Sequence, residues 1–97
     1  MTYLDLMTCL RRQLLDYHKL EGIIINDEPV FYITNNQLSD LSQSFIDYRQ
    51  EIEFPKDLPV KIMTYLSASR NNTIKIDDVI ANVLAIVKHA KIESELH

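Results

Sequence analysis

One glycine in 97 residues is a strong restriction on what this chain can fold into. Sheet-rich folds of this length turn often, and tight turns draw on glycine because it alone enters left-handed backbone freely. Here only Gly22 and three prolines, Pro29, Pro55 and Pro59, punctuate the sequence. The apolar spacing is helical instead. Tyr3, Leu6, Met7, Leu10, Leu14 and Tyr17 recur at steps of three and four, which places one face of a helix over residues 2–20 with Gly22 as its stop.

Further helices follow the same logic. Thr34-Asn35-Asn36-Gln37 has capping-box spacing, in which Thr accepts from the backbone and Gln reaches back. Leu38, Leu41, Phe45, Tyr48 and Ile52 then form a stripe that Pro55 should end. Asp57-Leu58-Pro59 opens a third helix, with Asp as cap and Ile62, Met63 and Leu66 as the buried face. Asp77 and Asp78 mark the start of a fourth, through capping and the helix dipole. Its Val79, Ile80, Val83, Leu84, Ile86, Val87 and Ala90 cover over half its circumference, so it packs on more than one side or faces another protein. The expected fold is one all-α domain over 1–97, an antiparallel four-helix bundle. Residues 21–34 are left open between a small hairpin and a loop or short helical turn that packs Phe31 onto the core. Ile23-Ile24-Ile25 and Val30-Phe31-Tyr32-Ile33 favour strand, and Asn26-Asp27-Glu28-Pro29 between them is turn chemistry.

Chemistry is harder to find. His18, His89 and His97 fall in no metal-like cluster. His18, late in the first helix, reads as a surface group, and His97 is terminal. Cys9, the single cysteine, lies among apolar neighbours and reads as a buried, inert thiol; alone it cannot close an internal disulfide. No glycine-rich phosphate loop is present. The expectation is a binding protein with no catalytic residues, no metal and no cofactor. The N-terminus has no basic start before an apolar stretch, so a cytoplasmic location is expected.

Net charge is −4, which disfavours nucleic acid as a partner. It is unevenly spread. Residues 1–55 hold four Lys or Arg against nine Asp or Glu, whereas 56–92 hold six against three. The C-terminal half therefore suits an acidic partner or a membrane surface; ordinary scatter on a solvated surface is the alternative.

Residues 54–90 resemble the small immunity proteins that protect bacteria from their own pediocin-like, class II bacteriocins. Ile62-Met63-Thr64-Tyr65-Leu66 matches a short-helix pattern of that family, and Asn72-Thr73-Ile74-Lys75-Ile76 stands where the family has Asn-Lys-Ile-x-Phe. A capped amphipathic helix follows, as it does here after Asp77. The resemblance implies a four-helix bundle in the cytosol that is not an enzyme. It also implies a protein partner: the bacteriocin's receptor, the membrane part of a sugar phosphotransferase system, met through the last two helices. On this sequence that points to Lys61, Arg70, Lys75, Lys88, His89 and Lys91. Peripheral membrane contact and homodimerisation are both compatible with it.

A second, weaker resemblance is to two-EF-hand proteins of the S100 kind. Residues 67–78 have the length of a calcium loop with Ile74 at its central apolar position, and Ile33 to Leu38 look like the end of a first loop. The ligand positions are Ser67, Ser69 and Asp78, with Asn72 where glycine is required, so too little charge remains for calcium. This implies a calcium-independent, dimeric adaptor. A small phage or bacterial regulator is a third reading.

Overall fold

Thr2 begins the first helix by accepting from the Asp5 backbone N–H at 3.1 Å while the Asp5 carboxylate accepts from Thr2 N–H at 2.9 Å. This reciprocal cap satisfies two of the free donors at a helix start. The computed structural model describes residues 1–70 and 72–96, and His97 lies outside that range. Four helices occur among the described residues: α1 (Tyr3–Glu21), α2 (Asn35–Arg49), α3 (Leu58–Ser69) and α4 (Ile76–Glu95). The fold is all-α, with four helices and one minimal sheet.

The α1 helix ends as its glycine dictates. Gly22 takes left-handed backbone, φ 58°, and its N–H donates to the His18 carbonyl at 3.1 Å. The chain then forms the hairpin. β1 (Ile24–Ile25) pairs antiparallel with β2 (Glu28–Pro29), with Asn26 and Asp27 both at positive φ. Two left-handed central residues are the signature of a two-residue hairpin turn. Phe31 is also buried, 1% exposed, so both features weighed for residues 21–34 are present together.

The α2 helix starts at the Thr34–Gln37 capping box. It stops at Arg49, well before Pro55. Glu51 and Ile52 both donate to the Tyr48 carbonyl, so a turn carries Ile52 onto the core after the helix has ended. Two expected caps are absent. Asp57 makes no side-chain cap and instead pairs with Lys61 at 3.2 Å. Lys75 occupies the cap position of α4, with Asp77 and Asp78 in its first turn, where they still complement the dipole.

Long-range contacts fix the helix directions. Tyr3 Oη lies 3.2 Å from Ser94 Oγ, which joins the start of α1 to the end of α4. Gln37 Nε2 donates to Glu21, joining the start of α2 to the end of α1, and Asn82 Nδ2 donates to Tyr65 Oη between α4 and α3. Each helix thus runs antiparallel to its partner, and α4 packs on both α1 and α3. One cluster of buried side chains draws on all four helices, including Leu6, Leu10, Leu41, Phe45, Ile62, Leu66, Val83 and Val87. Phe31 and Ile33 join it from the irregular segment. Truncating a buried aromatic such as Phe31 to Ala costs about 3–5 kcal/mol.

Candidate functional site

The apolar wrap of α4 exceeds what the bundle covers. Val79, Val83 and Val87 are fully buried, but Ile92 is 55% and Leu96 79% exposed. Ala85, Ile92 and Leu96 follow at steps of seven and four and so share one outward face. Beside that face lies a cleft of about 270 Å³ between the start of α3 and the second half of α4. Leu58, Ala85, Ile86 and Ala90 make its apolar wall, with Asp57, Lys61 and His89 also lining it. Lys61 is paired with Asp57, and His89 Nε2 lies 3.1 Å from Glu93. Both pairs are exposed, so each contributes about 0–1 kcal/mol and is easily exchanged for another partner.

The six expected partner residues do not form one surface. Lys61 and His89 meet at the cleft. Lys91, more than half a turn round α4 from His89, points elsewhere and pairs with Glu95 at 3.9 Å. Lys88 is exposed and does not line the cleft. Arg70 and Lys75 lie at the other end of α3. There Lys75 binds Glu28 of the hairpin at 3.3 Å, and Arg70 Nε donates to the Ile33 carbonyl at 2.7 Å. The Arg70 guanidinium also lies 5.7 Å from the Tyr32 ring centre, and its buried Nη2 has no acceptor among the described residues. A buried donor left unpaired costs about 1–3 kcal/mol. Around it the hairpin and the α3–α4 connection enclose a second cleft of about 260 Å³. Sequence spacing gives no sign of either cleft, because each joins segments far apart in the chain.

A polar seam between α1 and α2 also escapes sequence reading. Tyr48 Oη donates to Gln13 Oε1 at 2.8 Å, and Gln13 Nε2 donates to Ser44 Oγ at 2.8 Å. Burial, then the adjacent Cys9 thiol, pushes the Tyr48 hydroxyl up to about 12. Cys9 is half-buried, not fully buried as its neighbours suggest. The group against it is a phenol that holds its own proton more tightly than an ordinary tyrosine does, so it cannot act as a base toward the thiol. His18 is likewise drawn inward: its ring stacks on Phe31 at 6.4 Å, and its buried Nδ1 has no partner among the described residues. No helix is long and apolar enough to cross a membrane, among the described residues.

The motif residues behind the immunity resemblance are chiefly packing residues. Ile62 and Leu66 are fully buried, and Tyr65, Ile74 and Ile76 pack partly buried against the core. In comparisons with known proteins, no family model, no curated protein and no solved structure matches this chain.

Proposed function

We propose that this chain is a non-catalytic binding protein that protects a cell, from the cytoplasmic side, against a pediocin-like bacteriocin. The observation that carries the binding reading is the apolar cleft between α3 and α4, with Lys61 and His89 in its lining. An apolar anchor on a partner would fill it, and an acidic group beside that anchor would replace Asp57 as the counter-charge of Lys61. The exposed continuation through Ile92 and Leu96 lengthens the surface available to the partner. The resemblance over residues 54–90 supplies the biological setting, a bacteriocin engaged with its membrane receptor.

The test is protection. The chain is expressed in a sensitive strain, which is challenged with a panel of pediocin-like bacteriocins. The wild type should protect against at least one without lowering the amount of free toxin. Ala85 is exposed, so Ala85→Glu should fold and yet lose protection, because it puts a charge into the apolar wall. Lys75→Glu, at the far end of α3, asks whether the other end of the basic half takes part. Well-expressed wild-type protein that protects against none of the panel would overturn the reading.

One observation favours the adaptor alternative. Phe31 N–H donates to the Ile74 carbonyl at 2.9 Å, and Arg70 Nε to the Ile33 carbonyl. The two segments that resemble EF-hand loops are thereby stitched together. An adaptor of that kind would sediment as a dimer and confer no protection.

A further inference from the structure

We propose that the second cleft, between the hairpin and the α3–α4 connection, binds a small carboxylic acid on an apolar stem, with Arg70 recognising the carboxylate. Ile23, Ile25, Val30 and Tyr32 line it on the hairpin side, and Arg70 and Thr73 on the other. The guanidinium is held in place before any ligand arrives, by its Nε bond to Ile33 and by the Tyr32 ring. Preorganisation of this kind reduces what binding costs.

The charge balance around Arg70 is what makes the cleft an anion site. Lys61, Lys75, His89 and Lys91 each have an acidic partner. Of the six expected partner residues Arg70 and Lys88 have none among the described residues, and of these two Arg70 lines the cleft; Glu28, an acid of the adjoining hairpin, is already taken by Lys75. The Nη2 group is buried without an acceptor, so the fold leaves part of the guanidinium's hydrogen-bonding capacity unused, although that atom does not itself open onto the cleft. A carboxylate that accepts from this guanidinium would form a charge-assisted hydrogen bond, among the stronger ones available.

The walls define the rest of the ligand. A single cation facing the apolar side chains of the hairpin, with Asn72 and Thr73 as the polar remainder of the lining, suits a monoanion with an apolar body, where a phosphate dianion would call for more positive charge. The volume, about 260 Å³, lies below the roughly 300–1,000 Å³ of drug-sized sites, so the stem is short: a single ring or a branched chain. The site is at the opposite end of α3 from the Lys61–His89 cleft. It therefore stands or falls independently of the protective function.

Sodium phenylacetate is a suitable probe, compared with uncharged phenylacetamide and with inorganic phosphate, in titrations followed by amide NMR. Phenylacetate should give saturable shifts centred on Ile25, Tyr32 and Thr73. Phenylacetamide, which keeps the ring and loses the charge, should bind at least about tenfold more weakly, and phosphate should also be weaker. Arg70→Gln should lose binding by a similar factor with an unchanged far-ultraviolet spectrum. If that variant unfolds, the comparison of acid with amide on the wild type decides alone. An absence of saturable shifts, equal binding of acid and amide, or undiminished binding by a folded Arg70→Gln would overturn the proposal. Phosphate binding as tight as that of phenylacetate would overturn the apolar-stem assignment.

Discussion

The Tyr48 hydroxyl donates to Gln13 Oε1 at 2.8 Å and is held protonated to about 12, first by burial and then by the neighbouring Cys9 thiol. A tyrosine whose folded value is raised above its unfolded value of 10.0 contributes stability that is complete below the unfolded value and disappears as pH climbs through the folded one. Tyr17, in contact with the same Gln13, is raised as well, mainly by burial. The melting temperature should therefore fall between about pH 10 and 12, because ionised Tyr48 can no longer donate and adds charge to a half-buried seam. Tyr48→Phe should start about 1 kcal/mol less stable, having left Gln13 without its donor, and should show a shallower alkaline fall. Parallel alkaline slopes for the two proteins would exclude the seam as the cause. None of this is legible in the sequence. Tyr48 sits on the apolar stripe and reads as a packing residue, and only the approach of α1 reveals what its hydroxyl meets. His18 is misread for a related reason, since helix position alone does not show that the Phe31 ring closes over it.

At the scale of single elements, local chemistry is read well where one residue decides the backbone and poorly where the core decides it. Gly22 and the Thr34–Gln37 box do what their types require. The end of α2 does not follow from its stripe, because Ile52 continues the apolar spacing from a turn, and Pro55 sets only the latest position at which a helix could stop. Asp57 and the Asp77–Asp78 pair fail as caps although their types favour it; Asp57 is drawn to Lys61, and the helix of Asp77 begins one residue earlier, at Ile76. The left-handed positions allow a pair of substitutions with opposite sign. A Cβ at Gly22 would meet nothing within 4 Å, so Gly22→Ala costs only the left-handed backbone, about 1 kcal/mol, or roughly 4–8 °C in a domain of this size. Asp27 already bears that cost at φ 62°. Asp27→Gly should remove it and, after the added freedom of the unfolded chain, gain about 0.5 kcal/mol. Thermal melts of both variants check the signs, and a stabilising Gly22→Ala would show that the helix ends differently.

For the whole molecule, four periodic segments and short connections lead to an antiparallel bundle almost without choice, which is why the architecture can be read from the sequence. The candidate sites cannot. The Lys61–His89 cleft exists only because residues 57–61 and 85–90 come together across two antiparallel helices, and the basic count over 56–92 says nothing about which lysines share a face. The same packing bears on the EF-hand resemblance. Ser67 and Ser69, at loop positions one and three, lie within the last turn of α3, and the buried Ser69 hydroxyl donates to the Leu66 carbonyl at 2.6 Å. Asp78, at position twelve, is in the first turn of α4. Calcium takes about six to eight oxygen ligands from a loop that wraps around it, so seating it here would require unwinding the end of α3 and freeing Ser69 from its hydrogen bond. A ligand that binds only the native state must raise its stability by mass action. Millimolar calcium should therefore leave the melting temperature where EGTA leaves it. A rise of several degrees with calcium, reversed by EGTA, would mean that the 67–78 segment can unwind into a working loop, and a calcium-binding EF-hand reading would then displace immunity.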